Sequence, residues 1–261
     1  MTFALQPVAD PAAPLARRNP VAKLAAAMLF TLPLIATLDP LTPALALVIE
    51  LTLLPLFGLR YATLARRAWP LVAAAIGVMV TMVLFAADRG GALLLDLGPF
   101  DITTDVLVSA LGLVLRLFAI ALPGVIVFAT TDPTDLADAL VQNAKAPARF
   151  AIGALAAFRL LPLLGEEWQM LTLARRARGV ETGIRGFPAT AFALLVGALR
   201  RGGRLAVAMD ARGFDSSVER TYARRQIFTG ADVLLMIGAL TLAAVVLATT
   251  VLTGLFRPII G

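Results

Sequence analysis

The chain of 261 residues contains no cysteine and no histidine, and only 15% of its residues are charged. These absences exclude disulfides, thiolate nucleophiles, imidazole bases and the usual zinc ligand sets. Any chemistry would therefore depend on carboxylates, Arg, Lys or hydroxyls, or on a partner. A GxxxxGK[ST] phosphate loop is also missing, because Gly90-Gly91 and Gly202-Gly203 lack the following Lys-Ser or Lys-Thr.

Apolar residues dominate what remains. They make up 59% of the sequence, and the mean hydropathy is +0.87, whereas ordinary soluble domains are roughly half apolar. A net charge of +6 would suggest nucleic-acid binding in a soluble protein. In a membrane protein the same excess marks the side on which the basic loops lie. We therefore expect an all-α integral membrane protein that contacts the lipid bilayer and no nucleic acid.

Five stretches are apolar enough to cross a membrane, for which a helix needs about 20 residues. Only Asp39 and Pro40 separate the first two stretches, which indicates a tight turn between antiparallel helices. Arg116 is the only charge in the fourth stretch, and Asp232 begins the fifth. The predicted spans are 21–38, 41–58, 70–87, 106–129 and 232–255.

The short loops alternate between basic and mostly acidic. Because cytoplasmic loops are enriched in Lys and Arg, the N-terminus and residues 130–230 are predicted to lie in the cytoplasm and the protein in the inner (plasma) membrane. The loop after the third span is then outside. The basic residues are Arg17, Arg18, Lys23, Arg60, Arg66 and Arg67, and the acidic ones are Asp88, Asp96, Asp101 and Asp105.

The segment 131–229 carries most of the positive excess. We treat it as a cytoplasmic module, inserted between residues 1–130, which hold the N-terminal tail and four spans, and residues 230–261, which hold the last span and a short tail. Its apolar runs are too short for a span or are interrupted by Arg159, so we expect buried or interfacial helices there.

About three helices are predicted in this module. The first begins at Thr131-Asp132-Pro133, which offers a capping side chain and an early proline, and stops at Pro147. The second runs from about 148 to 178 with a bend at Pro162. The third runs from Phe187 to about 212.

The last two of these helices end in the same tripeptide, Ala177-Arg178-Gly179 and Ala211-Arg212-Gly213. A glycine just past a helix can take a positive φ, and an arginine suits the negative end of the helix dipole. Capping alone could therefore explain both copies. Each copy is nevertheless followed by an acid within two residues, Glu181 or Asp215. Two equivalent projections also suggest two equivalent receptors, such as the halves of a dimeric partner.

Four stretches resemble the transmembrane T component of energy-coupling factor (ECF) transporters, the EcfT, CbiQ and BioN type. They are Thr131 to Leu136 through Ala139-Leu140, Arg159-Leu160-Leu161-Pro162, Ala174 to Gly179, and Ala208 to Phe214. The similarity covers the whole chain in layout, and its specific motifs lie between residues 131 and 214.

This resemblance implies a non-catalytic subunit of an ATP-driven importer. Such subunits join two cytoplasmic ATPases of the ABC class to an S component, a small membrane protein that captures a vitamin or metal ion. The residues that match the family's docking motifs are Ala177, Arg178, Gly179, Ala211, Arg212 and Gly213. ATP and Mg²⁺ would bind the ATPases, so no cofactor or metal is expected in this chain, and the S component would select the substrate.

Other charged residues have structural interpretations. Glu50 and Arg116 lie near mid-membrane at similar predicted depth and could pair, or each could find water or backbone instead. Asp132, Asp135 and Asp138 could imitate a metal site, but helix capping explains the first two. The cluster Arg220, Arg224 and Arg225 precedes the last span, where anionic lipid would attract it, and contact with an ATPase is the alternative.

Two rival functions remain open from the residues. A conventional ABC permease would also present a coupling helix to an ATPase, but usually one main loop per subunit rather than two tips. A carboxylate-dependent membrane transferase would need clustered acids at the membrane face beyond the Asp132 series.

Overall fold

The structure is a computed structural model, and it describes residues 9–10, 12–37, 39–86, 90–96, 101–180, 183–214, 216 and 221–254. These residues form two compact units. We call Pro133–Gln226 the inserted unit, and Gln6–Asp132 together with Ile227–Gly261 the bundle unit. The units divide close to the predicted boundaries at 131 and 229. The cytoplasmic location of the module stays a prediction, because compactness does not show on which side of the membrane a unit lies.

The bundle unit is helical, as the sequence predicts. Its helices are α1 (Pro20–Ile35), α2 (Leu41–Leu53), α3 (Tyr61–Arg67), α4 (Trp69–Phe85), α5 (Thr104–Thr130) and α9 (Gly230–Leu252), and a 3₁₀ turn, Leu54–Phe57, extends α2. Helix α1 packs mainly against α9, and α5 packs against α1, α2 and α4. The last helix of the chain therefore closes the bundle beside the first.

Two apolar clusters hold this bundle together. The first joins α1, α2, α5 and α9 through Phe30, Leu34, Ala46, Ala119, Ala243 and Val246. The second lies where α2 ends and α5 approaches its last turns, and it contains Leu54, Leu59, Leu64, Ala68, Leu122, Ile126 and Ala129. Small residues at several of these positions let the helix backbones approach closely, which is typical of membrane helix packing.

A short antiparallel hairpin between α4 and α5 was not predicted from the sequence. Strand β1 (Leu93–Asp96) pairs with β2 (Asp101–Thr103), and Thr103 leads directly into α5. Sequence reasoning treated this stretch as an acidic loop, because strands of four and three residues are too short for an alternation pattern. Helix α3 was likewise taken as part of a basic loop.

Among the described residues, three helices are long and apolar enough to cross a membrane by length and composition, namely α5, α9 and a helix of the inserted unit, Ala148–Ala177. Helix α2 with its 3₁₀ turn passes the same test only together with α3, from which it is bent by 114°. Helices α1 and α4 are apolar but shorter, at 16 and 17 residues. The five predicted spans thus each correspond to a helix of the bundle unit.

The inserted unit contains α6 (Pro133–Gln142), α7 (Ala148–Ala177), a 3₁₀ turn Ile184–Gly186 and α8 (Phe187–Asp210). The predicted first helix ends at Gln142 rather than near Pro147, and α7 continues through Pro162. No residue of α7 is buried, and in α8 only Thr190 is. These two long helices therefore present most of their apolar side chains at the surface.

Candidate functional site

The two predicted tips have the same backbone structure. After α7 ends at Ala177, Gly179 has φ +70° and its N–H donates to Arg176 O at 3.0 Å, while the Val180 N–H donates to Arg175 O at 3.0 Å. This is the Schellman geometry, in which a left-handed residue closes the last helical turn. Only glycine adopts that conformation without strain.

The second tip repeats the pattern residue for residue. Beyond Asp210, the last residue of α8, Gly213 has φ +73° and donates to Asp210 O at 2.8 Å, and the Phe214 N–H donates to Met209 O at 3.1 Å. The predicted positive φ is thus present at both glycines. The shared tripeptide encodes a shared helix end, with the arginine placed one residue before the glycine.

Both arginines project to solvent. Arg178, Gly179, Arg212 and Gly213 are all exposed. A guanidinium offers several donors in a fixed planar fork and stays charged at any physiological pH, so it suits recognition of carboxylates and backbone carbonyls. Each helix end therefore presents hydrogen-bond donors that suit an acidic or carbonyl-rich surface.

The electrostatic surroundings of the two tips differ, which the sequence analysis did not anticipate. Arg175 and Arg176 precede the first tip, whereas Asp210 precedes the second. At the second tip further positive charge comes from elsewhere in the inserted unit, because Arg159 of α7 and Arg224 line one cavity of about 740 Å³ with Arg212. The tips thus share a backbone shape but not a charge distribution.

Two of the arginines around this cavity, which we call the Arg212 cleft, have a polar side-chain partner. Arg159 Nη2 donates to Thr134 Oγ1 at 3.2 Å, and Arg224 Nη1 lies 3.6 Å from Asp135 Oδ1. Gln142 secures the segment of Arg224 by donating to its carbonyl oxygen at 2.8 Å. Nothing local in the sequence links Arg159 or Arg224 to Arg212, so sequence reasoning missed this grouping.

The acidic series at the start of α6 does not form a metal site. Asp132 immediately precedes α6, Asp135 lies in its first turn and faces Arg224, and Asp138 lines the Arg212 cleft. Among the described residues there is no group of three or more acids placed to hold a metal ion. Glu181, Asp215 and Arg220 lie outside the described residues.

Glu50 and Arg116 are not hydrogen-bonded to each other. Both carboxylate oxygens of Glu50, and Nε of Arg116, have no hydrogen-bond partner among the described residues. The acid whose charge acts on Arg116 is Asp39, which precedes α2. The pair that the sequence suggested is therefore absent from this structure.

The register of two parallel helices explains this difference. A side-chain carbon at Gly112 of α5 would lie 3.4 Å from Pro40, at the start of α2, and farther along the same helices Glu50 lines one cavity with Pro123. Arg116 precedes Pro123 by seven residues, about 10 Å along a helix axis. The two charges thus lie at different depths, although their positions within the predicted spans looked similar.

The comparison with known families agrees with these features. The family described as "CbiQ: Cobalt transport protein" matches residues 12–223, which include α1 to α8 and both tips. The chain belongs to this family. The match confirms the family that the resemblance of the motifs had indicated.

Curated relatives carry a more specific name. An energy-coupling factor transporter transmembrane protein EcfT from Leuconostoc gelidum is 33% identical over 149 residues, which cover 52% of this chain and 56% of that protein. The EcfT of Exiguobacterium sibiricum is 30% identical over 194 residues, 68% of this chain and 73% of that protein. The chain thus spans just over half the length of the Leuconostoc relative.

A third relative has a different name. It is a Bifidobacterium longum protein named as an ABC transporter ATP-binding protein, 26% identical over 185 residues, which cover 66% of this chain but 24% of that protein. Taken together, the family match and the apolar helices make this chain a multi-pass membrane protein that is similar to proteins named as transmembrane components of ECF transporters. The EcfT relatives are named as transporter components rather than as enzymes.

Proposed function

We propose that this chain is the energy-coupling subunit of an ECF-type ABC importer. In this role it links two cytoplasmic ATPases, identical or homologous, to a substrate-binding S component, for the uptake of a vitamin or a metal ion. The observation that carries the proposal is the pair of helix ends with matching backbone geometry and an exposed arginine, at Ala177–Gly179 and Ala211–Gly213. Two matching projections on one chain suit a partner with two related binding grooves.

ATPase docking is supported by the chemistry of the tips. Arg178 and Arg212 lie at the ends of long helices, and a guanidinium that binds carboxylates and carbonyls in a groove loses less side-chain entropy per hydrogen bond than an ammonium group does. The Bifidobacterium relative named as an ATP-binding protein contains a region similar to this chain. ATP and Mg²⁺ would bind the ATPases, because this chain has no phosphate loop.

Docking of the S component is supported by the apolar surface of α7 and α8. Large hydrophobic side chains are exposed along both helices, including Phe150, Phe158, Met170, Leu173, Phe187, Phe192, Leu195 and Leu199. Exposed apolar side chains in this number are typical of a protein or membrane interaction site. A small membrane protein could cover it with its own apolar helices.

The proposed mechanism is mechanical. When the ATPases close on ATP and reopen, the two docked tips must follow their grooves, and α7 and α8 would carry this motion as rigid levers. The apolar faces of the same helices would pass it to the S component. Tip and apolar surface lie on the same two helices, so no separate transmission element is needed.

Removal of either tip arginine tests this function. We expect Arg178→Ala or Arg212→Ala to weaken association with the ATPases about tenfold or more, as expected for the loss of charge-assisted hydrogen bonds, while the bundle still folds. The measurement is co-purification of proteins with a phosphate-loop motif from membranes, followed by reconstituted ATPase and uptake assays.

Arg185→Ala is the matched control, since Arg185 is also an exposed arginine of the inserted unit but lies in the 3₁₀ turn before α8. It should leave ATPase association unchanged. Wild-type recovery of ATPases with both tip variants would remove the docking assignment. If the ATPase instead binds a single loop elsewhere in the chain, the result would favour a conventional permease.

A further inference from the structure

A half-open cavity of about 290 Å³ lies in the bundle unit between α1, α2, α5 and α9. Its walls are almost entirely apolar and include Phe30, Leu53, Ile126 and Leu242. Small-molecule sites are usually concave, mostly apolar and equipped with a few polar groups that orient the ligand. The size and walls of this cavity, on the side of the bundle where α2 ends, agree with that description.

Glu50 is the polar group that stands out in this cavity. Its residue is only 6% exposed, it lines the cavity, and neither carboxylate oxygen has a hydrogen-bond partner among the described residues. A buried polar group that lacks a hydrogen bond costs free energy, so native proteins seldom retain one without a reason. A bound molecule that hydrogen-bonds Glu50 would supply the reason.

Lys23 is the second ionisable residue of the cavity wall, but its ammonium group is already engaged. Nζ donates to the carbonyl oxygens of Ala16 and Thr130, both at 2.9 Å. These bonds direct the ammonium towards the start of α1 and the end of α5. Glu50 is therefore the side chain with hydrogen-bonding capacity to offer a guest.

The composition of the walls restricts the guest. A metal ion would need several oxygen ligands, and the described residues hold no group of three acids that could supply them. A water molecule needs two to four polar partners, whereas an alkane would leave the carboxyl group unbonded. The remaining class is a molecule with an apolar body and a single polar head.

We propose that this cavity binds a neutral amphiphile with a hydroxyl head, which hydrogen-bonds Glu50 while its apolar body fills the space among α1, α2, α5 and α9. A hydroxyl both donates and accepts, so it can bond a carboxyl group in either protonation state. An engineered apolar cavity of about 150 Å³ holds benzene, so about twice that volume suits a body of roughly ten non-hydrogen atoms. The proposal does not depend on the docking function, because it concerns the bundle unit alone.

Photolabelling tests this site in the full chain reconstituted in phosphatidylcholine nanodiscs. The probe is 1-octanol that carries a diazirine on its chain, and peptide mass spectrometry locates the label. We expect the label on residues of the cavity wall, at a level about fivefold above that of the matching diazirine octane, as expected for one hydrogen bond.

Variants show whether labelling depends on Glu50 and on the open volume of the cavity. Glu50→Gln keeps hydrogen-bonding groups and should keep the label, whereas Glu50→Leu should lower octanol labelling to the octane level. Gly238→Leu should block labelling, because Gly238 lines the cavity and a side chain there meets nothing within 4 Å. Gly77→Leu is the control, since Gly77 of α4 is equally open but lies outside the cavity.

Competition identifies the source of the natural guest. Monoolein in the nanodisc, whose acyl chain can extend out of the half-open cavity, should displace the probe if the guest is a membrane lipid. Soluble 1-hexanol should displace it more effectively if the guest enters from water. Equal labelling by octanol and octane in the wild-type chain, or labelling unchanged by both Glu50→Leu and Gly238→Leu, would overturn the proposal. Gel filtration of each variant confirms that loss of label does not reflect loss of fold.

Discussion

At the scale of single residues, the acids within apolar helices fall into two kinds. Both carboxylate oxygens of Asp232, at the start of α9, accept hydrogen bonds. Oδ1 accepts from the Asn19 N–H at 2.9 Å, and Oδ2 accepts from the Thr229 N–H and hydroxyl, both at 2.7 Å. Glu50 has no such bonds among the described residues. The first acid is structural, and the second is available to a guest.

Replacement of Asp232 should therefore destabilise the bundle. Asp232 caps α9 in a capping box and also holds Asn19, whose own side chain caps α1 by accepting from the Val21 N–H at 3.0 Å. We expect Asp232→Ala to cost about 1–3 kcal/mol, because a cap and a buried hydrogen bond are lost together. Thermal unfolding in detergent measures this cost.

Thr253→Ala serves as the comparison, because Thr253 follows the other end of α9, where its hydroxyl donates only to the Thr250 carbonyl. It should change stability far less than Asp232→Ala. Equal melting temperatures for the two variants would show that the Asp232 bonds contribute little to the stability of the folded chain.

At the scale of elements, the crossing of α7 and α8 sets the relation between the two tips. Arg201 pairs with Glu167 at 2.9 Å, and the rings of Trp168 and Phe187 lie 5.3 Å apart. Gly197 permits the close approach, because a side-chain carbon there would lie 2.9 Å from Glu167 Oε1. The flexible Glu167 side chain could yield to alanine, but a large residue would force the helices apart.

Gly197→Phe should consequently alter the geometry of the tips without touching either arginine. Because the chain has no native cysteine, spin labels at Ala177→Cys and Ala211→Cys would report the distance between the tips without background. We expect a shifted or broader distance distribution and reduced coupling of ATP hydrolysis to uptake.

The control is Gly203→Phe, on the same helix but with nothing within 4 Å of the added carbon. It should leave the distance distribution between the two spin labels as it is in the labelled chain without a phenylalanine substitution. If Gly197→Phe also leaves it unchanged, the crossing does not set the positions of the tips.

At the scale of the whole molecule, the membrane topology is a prediction that rests on loop charges. Helix α7 is the decisive element, because it is long and apolar enough to span by length and composition although the sequence analysis assigned it to the cytoplasmic side. If α7 spanned, its two ends would face opposite compartments. If it belongs to a cytoplasmic module, both ends face the same one.

Single cysteines at Ala146 and Val180, which flank α7 and are at least partly exposed, test this topology. We expect a membrane-impermeant maleimide to label both from the cytoplasmic side of inverted vesicles, and a cysteine at Ala92, beside the hairpin, only from the outside of cells. Labelling of Ala146 and Val180 from opposite sides would make α7 a membrane span and overturn the cytoplasmic assignment.

The sequence by itself determined the five predicted spans as helices and both ends of α7 and α8, although it missed α3 and the end of α6. Long apolar stretches, prolines such as Pro133 and Pro188, and glycines such as Gly179 and Gly213 act locally, so α7 and α8 were predicted to within two residues at each end. The tip residues were also predicted from the sequence, because a repeated tripeptide can be recognised without knowing its tertiary contacts.

Only the tertiary structure decided which side chains meet. The register of α2 against α5 separates Glu50 from Arg116 and places Glu50 in the wall of a cavity. Packing within the inserted unit brings Arg159 and Arg224 to the second tip, so two helix ends of equal shape differ in charge. The physical reason is that helix formation depends on residues a few positions apart, whereas register and side-chain grouping depend on contacts between segments far apart in the chain.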